Sequence, residues 1–203
     1  MRIGNYIYDD LSDVPAEVPV VPLAGALLLP RMHLPLNIFE PRYIALVDHV
    51  LSTDRVIGMV QPRFDGAKGE DPNAPRLCEV GALGRIVYFE DMDDGRYVIK
   101  LAGVSRFELL EELPLMNGFR RCRISAERCA SDLHSRSGET DVDRQALIGA
   151  LQTYLDANDL EVDWKSVRTA SNEALVNTLA MLSPYGPAEK QALLEAPDLT
   201  ARA

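Results

Sequence analysis

The chain has 203 residues, 47% of them hydrophobic, which is enough for one large or two small domains whose core needs no disulfide or metal. Its 31 acidic residues outnumber 21 basic ones, for a formal charge of -10. That balance disfavours nucleic acid and anionic membrane surfaces as partners, because both are held through excess Lys and Arg.

Three scattered cysteines, Cys78, Cys122 and Cys129, show no CxxC spacing. They form neither a disulfide framework nor a zinc site, and reduced thiols in a cytoplasm fit them best. Asp9, Asp10 and Asp13 make the N-terminus too acidic for a signal peptide. The longest apolar stretch, residues 20–30, is broken by Pro22 and Gly25 and is about half a membrane span. The expectation is a soluble, cytoplasmic protein.

In chain order, residues 18–23 and 26–29 read as short buried strands ended by Pro22 and Pro30. Pro41 opens a helix, where a missing N–H costs nothing, and Ile44, Val47, Val50 and Leu51 give it one apolar stripe. Residues 55–60 form a strand. Residues 61–76 carry three prolines and two glycines and read as a long loop. Residues 82–90 and 96–102 form a hairpin around the Asp94-Gly95 turn. Strands at 105–113 and 119–127 follow, separated by a turn at 114–118. Six or seven short strands with one inserted helix predict a small barrel or curled sheet.

Beyond residue 130 the apolar spacing becomes helical. Residues 130–138 read as a polar linker, and Thr140 with Asp143 as a capping box. Leu147, Leu151, Tyr154 and Leu155 then share one helix face. A short helix at 164–168 should bury Trp164, and Ser171 should cap a helix with the stripe Leu175, Val176, Leu179 and Leu182. Pro184 stops that helix, Pro187 starts another reaching Glu195, and Pro197 ends it.

Three stretches carry a family resemblance. The first runs through Val20-Val21-Pro22-Leu23, Leu29-Pro30 and Leu34-Pro35-Leu36-Asn37-Ile38-Phe39-Glu40-Pro41-Arg42-Tyr43. The second is Glu79-Val80-Gly81 with Gly84-Arg85-Ile86; the third is Asp94-Gly95-Arg96-Tyr97, Leu101-Ala102-Gly103 and Arg106-Phe107. Leu182-Ser183-Pro184 and residues 189–194 continue it into the tail. In order and spacing these resemble the N-terminal, substrate-binding domain of Lon proteases, in the version seen in stand-alone bacterial members. The resemblance implies an α+β fold: a PUA-like β pseudo-barrel lobe over residues 14–129, with about six strands and one helix, followed by a small α-helical bundle lobe over 138–203. It also implies a substrate-recognition module. The motor and the peptidase are not expected, since no GxxxxGK[ST] loop occurs and Gly66 to Gly69 lacks the following Gly-Lys-Ser/Thr. Lys68, Lys100, Lys165 and Lys190 do not sit in a context like the Lon peptidase's Ser–Lys dyad.

The candidate polypeptide-binding set is Asn37, Phe39, Glu40, Arg42 and Tyr43, at a loop entering the first helix. An aromatic and an Arg beside apolar residues suit a peptide-binding surface. The structural alternative has Phe39 plugging the barrel and Glu40–Arg42 as a structural ion pair. An exposed sheet edge could also add a peptide strand, unless the long loop or the helices cover it. His33, His49 and His134 lie in different elements and read as solvated or packed. Asp91, Asp93 and Asp94 lack the further oxygens of a calcium loop, and Glu108, Glu111 and Glu112 read as a wet strand end. Arg120, Arg121, Arg123 and Arg128 form the local basic cluster, which the Glu-rich strand can neutralise.

No catalytic residue, metal ligand or cofactor is expected. The primary reading is a non-catalytic protein- or peptide-binding module, such as an adaptor for unfolded segments. The alternatives are a PUA-like RNA-binding protein, favoured by a basic groove, and a hydrolase, favoured by a buried polar constellation with perturbed pKa values.

Overall fold

The computed structural model describes residues 1–63, 74–158 and 161–203. The expected loop over 61–76 lies mostly outside the described residues. A two-stranded ribbon, β1 (Arg2–Ile3) and β2 (Tyr6–Ile7), precedes the main sheet. The main sheet comprises β3 (Glu17–Pro22), β4 (His33–Ile38), β5 (Val56–Val60), β6 (Val80–Asp91), β7 (Tyr97–Met116) and β8 (Phe119–Ser125), with helix α1 (Pro41–Leu51) between β4 and β5.

The strand order is β4-β7-β6-β5-β3-β8, and β8 pairs again with β7, so five strands close on themselves while β4 hangs on the first half of β7. Only β3–β5 is parallel among these pairings. Closure depends on β7, which is 20 residues long. Its first half pairs with β4 and β6, and its second half with β8. Register shifts at Leu83/Gly84, Ile86/Tyr88 and Leu109/Glu111 bend the ribbons, as bulges do in small barrels.

Two apolar clusters fill the sheet. One, inside the closed strands, gathers Val18, Val20, Val56, Val60, Leu83, Val104 and Phe107. Phe107 is fully buried, and its ring lies where a Cβ on Gly81 would stand 2.5 Å from it. Phe107 thus fills the barrel. The other cluster joins Leu27 to Leu29, Leu46, Val47, Val50, Ile99 and Phe119 beneath α1.

The helical part holds α2 (Arg144–Asn158), α3 (Trp164–Thr169), α4 (Asn172–Leu182), α5 (Pro187–Glu195) and α6 (Leu199–Arg202). Leu151, Leu155, Val167 and Leu175 form its own small core, while Ala180 of α4 and Leu194 of α5 enter the barrel's second cluster. Among the described residues, no helix is long and apolar enough to cross a membrane.

Several sequence expectations are corrected. Leu27 to Leu29 are buried and Ala26 partly so, but residues 26–29 form no strand. They press on β7 at Gly103, where a Cβ would come within 2.1 Å of the Leu29 carbonyl oxygen, so only glycine fits. Residues 33–38, assigned no element from sequence, form strand β4 because β7 offers a partner from His33 through Ile38. The strands expected at 96–102 and 105–113 are one, and it runs past Pro114 to Met116 before turning at Asn117-Gly118, both at positive φ.

The expected polar linker at 130–138 begins inside a 3-10 helix, Glu127–Leu133, with Asp132 and Leu133 buried. Thr140 and Asp143 form no capping box. Asp143 alone accepts the N–H groups of Gln145 and Ala146, and Thr140 sits in a separate 3-10 turn, Glu139–Asp141. Ser171 caps α4 by accepting the Ala174 N–H. Leu182 is 79% exposed and outside the stripe assigned to it, and Trp164 is only partly buried. β1, β2 and α6 were not foreseen.

Candidate functional site

β4 alternates outward Pro35 and Asn37 with inward Leu36 and Ile38, and it delivers the chain to Phe39 on the outer side. Phe39 is 66% exposed; the barrel filler is Phe107, so this ring has no packing duty of that kind. Glu40 stands at the N-cap of α1 in extended backbone and makes no side-chain cap bond. Pro41 then fixes the helix start.

The unused Glu40 carboxylate instead accepts from Arg42, with Nε at 2.9 Å and Nη2 at 2.7 Å. The Arg42 guanidinium lies over the Tyr43 ring, 4.7 Å from its centroid. Tyr43 is partly buried against the core under α1, and this burial raises its phenol pKa. The stack Glu40–Arg42–Tyr43 is therefore pre-organised, with one ring face packed and the polar ends turned to water.

The β7–β8 turn completes the surface. A Cβ on Gly118 would lie 3.7 Å from the Arg42 Cβ, so that turn abuts the start of α1. Leu115, three residues earlier, is 64% exposed, and Met116 packs into the same core as Tyr43. On the far side of α1, the Tyr97 hydroxyl donates to Asp48 at 3.0 Å and ties the helix to β7. The structure thus brings Phe39, Glu40, Arg42 and Tyr43 together, with Asn37 exposed two positions before Phe39 on β4. Leu115 was missed, because its strand was expected to end before it. The run Leu113-Pro114-Leu115-Met116 carried a hydrophobic signal that Pro114 masked.

The open edges give mixed support for strand addition. Among the described residues β4 pairs only with β7, leaving one edge, but Pro35 at its centre has no N–H to donate. β6 beyond Arg85 has also left β5 behind, and Val87, Tyr88 and Phe89 there are exposed.

The basic cluster is largely consumed. Arg120 pairs with Glu112 at 2.6 Å, Arg123 with Glu111 at 2.6 Å and Glu17 at 3.3 Å, and Arg128 with Glu108 at 2.5 Å. These carboxylates offset much of the positive charge that an RNA backbone would need. The acidic turn is occupied by Arg96, which pairs with Asp94. Among the described residues no group of three or more His, Cys, Asp or Glu could hold a metal. His33 opens β4 on the exposed side, His49 stacks on Phe119 at 5.6 Å, and His134 is exposed after the 3-10 helix.

A buried polar constellation does exist, where the barrel meets the helices. Arg106 Nε and Nη2 embrace both Asp132 oxygens at 2.8 and 2.9 Å, and Nη1 donates to the Leu194 and Ala196 carbonyls at the end of α5. Burial opposes the Arg106 charge, but the hydrogen bond and the carboxylate of Asp132 outweigh it, and the pKa rises. Neighbouring Cys129 is pushed up by burial, so its sulfur is held as a thiol and not as the thiolate a nucleophile needs. These groups are spent on holding the fold, and no nucleophile–base pair forms here. A separate hollow of about 170 Å³ between α2, α4 and α5 is mostly apolar, lined by Leu147, Leu151, Tyr154, Leu179, Tyr185 and Leu193 among others.

With this geometry in hand, comparison with known proteins is informative. A family model described as the ATP-dependent protease La (LON) substrate-binding domain matches residues 17–203. A Lon protease of Anaeromyxobacter dehalogenans is 30% identical over 207 residues, covering 98% of this chain and 24% of the relative. Lon protease 2 of Myxococcus xanthus is 29% identical over 201 residues, covering 94% and 23%. The chain therefore spans about a quarter of the length of these curated relatives. Two solved structures share its architecture over 92% of the chain: a Lon N-terminal domain protein from Xanthomonas campestris, with TM-score 0.62 at 23% identity and 94% of that chain covered, and the N-terminal domain of Mycobacterium avium complex Lon protease, with 0.64 at 18% and 93%. At these identities the structures speak for the fold alone.

Proposed function

The chain belongs to the family of the ATP-dependent protease La (LON) substrate-binding domain, and we propose from this that it is a non-catalytic module recognising polypeptide segments through the face formed by Asn37, Phe39, Glu40, Arg42 and Tyr43. The finer reading is an adaptor that holds unfolded segments. The observation that carries it is Phe39, a large ring 66% exposed beside the ordered Arg42–Tyr43 stack. An exposed aromatic on a rigid start of helix binds with little entropy left to lose, and Arg supplies hydrogen bonds to backbone carbonyls and carboxylates of a bound segment. The formal charge of -10 favours neutral or basic segments over acidic ones. A cytoplasmic setting belongs to the same reading, supported by three buried cysteines that form no disulfide.

The test is photo-crosslinking from position 39. A photoreactive phenylalanine analogue there should capture a reduced, unfolded model protein and not its folded form. Equal capture from a control position on α2, such as Gln152, would refute the site.

A further inference from the structure

A second feature, independent of the polypeptide reading, lies at the junction of barrel and helices. Here a cavity of about 60 Å³ is lined by Arg31 from the barrel side, by Arg106 and Asp132, and by Arg202 of α6, with Ser131, Ser137 and Asp198 among the residues at its exposed rim.

Arg202 is 8% exposed. Its Nε donates to the Leu193 carbonyl at 3.0 Å and its Nη1 to Asn177 Oδ1 at 2.9 Å, both neutral acceptors. Among the described residues it forms no ion pair, and its Nη2, fully enclosed, has no partner. Burial, with the like charge of Arg106 adding and the more distant carboxylates of Asp132 and Glu173 opposing, pushes its pKa down to about 10, so the group still carries its charge at neutral pH.

Arg31 differs in being ion-paired, with Glu173, but it too keeps an unpartnered buried donor. It sits at φ 66°, a left-handed conformation that costs a non-glycine residue energy. It is held there by its N–H on the Gly103 carbonyl at 2.8 Å. Its Nη atoms reach Glu173 and the Asp132 carbonyl, but its Nε is buried without a partner.

The carboxylates that line the cavity do not supply the missing acceptors. Both Asp132 oxygens are taken by Arg106. Glu173 spends one oxygen on Arg31 and the other on the Arg136 N–H. Asp198 caps α6 through the Ala201 N–H and is exposed, where water screens it. Buried polar groups are normally satisfied, and a buried charge that no carboxylate contacts directly is costly to leave.

We propose that this junction cavity binds a small tetrahedral oxyanion of the phosphate–sulfate class between Arg202 and Arg31, with the Ser131 and Ser137 hydroxyls as further donors. Both serines are exposed, so their hydroxyls can turn toward a ligand. Such an anion ties the barrel to α6 and neutralises the Arg202 charge.

The test is calorimetric titration of the whole chain with inorganic phosphate at fixed ionic strength. The expected result is saturable binding of one phosphate per chain, competed by sulfate and not by acetate. Arg202→Gln, checked for native circular dichroism, should weaken phosphate at least about tenfold, the worth of one charge-assisted hydrogen bond. Should that variant not fold, the rim double variant Ser131→Ala/Ser137→Ala carries the same comparison with a several-fold weakening. No saturable heat from the wild type, equal competition by acetate, or unchanged affinity in the variants that fold would overturn the proposal.

Discussion

Two Arg–carboxylate pairs of the same chemistry lie in this molecule, and their surroundings give them opposite uses. Arg106 and Asp132 have side chains 5% and 9% exposed, and every hydrogen bond they make closes on the protein. Glu40 and Arg42 are 41% and 35% exposed, and they stand beside the Phe39 ring, which is 66% exposed. The buried pair joins β7 to the 3-10 segment and to the end of α5, so removing one partner leaves a charge in a poorly hydrated place. The exposed pair is stabilised by at most about 1 kcal/mol, because water competes for both ends. The lesson is that burial makes one pair costly to break, while exposure leaves the other weakly held, as the proposed recognition face requires.

The comparison breaks most visibly at Arg106. Arg106→Met should lower unfolding free energy by about 3–5 kcal/mol, since it strands Asp132. Replacing both residues, Arg106→Met with Asp132→Leu, should recover a large share of that loss. Urea denaturation of the three proteins measures this. A single variant within about 1 kcal/mol of wild type would show the pair to be dispensable.

Thiol chemistry probes the same buried region. Cys78, Cys122 and Cys129 are all buried, and burial pushes the Cys122 thiol to about 11. The raised value means the reactive thiolate is scarce at pH 8 and appears only as pH approaches 11. Native protein should therefore react negligibly with a disulfide reagent at pH 8, and all three thiols should react in urea. Rapid native labelling would show that these interiors open.

How much of this was readable beforehand differs between the two regions. Phe39 to Tyr43 is contiguous in sequence, so Pro41 announced the helix, and the aromatic–Arg combination could be named as a candidate surface from the sequence alone. The buried network was not readable, because Arg31, Arg106, Asp132 and Arg202 come from four separated segments that meet only when β7 closes the barrel. The same cause explains the misread strands. Residues 33–38 do alternate, with Leu34, Leu36 and Ile38 on the more buried side, but Pro35 in the middle breaks the strand signal, and pairing with β7 overrides that break. The α+β class and the order of strands then helices were legible from periodicity; the parallel β3–β5 pair and the second β7–β8 pairing were not, being long-range.

At the exposed pair the expected stability effects shrink. Arg42→Ala with Tyr43→Ala should change unfolding free energy by about 1–2 kcal/mol, mostly from the half-buried Tyr43 ring, while weakening peptide binding. A larger loss would make the stack structural. Phe39→Ala should be the mildest, within about 0.5 kcal/mol of wild type, because an exposed ring removes little surface from water. A stabilised Phe39→Ala with unaltered binding would mean that the ring is merely a surface hydrophobe.

The most direct measurement is fluorescence anisotropy of a labelled, reduced and unfolded model polypeptide titrated with the wild-type chain and with the Phe39→Ala/Arg42→Ala variant. The account predicts saturable wild-type binding that unlabelled unfolded polypeptide displaces, and an affinity reduced at least about tenfold in the variant, the scale of one interface hot spot. Wild-type binding no tighter than about millimolar, or equal binding by both proteins, would contradict it.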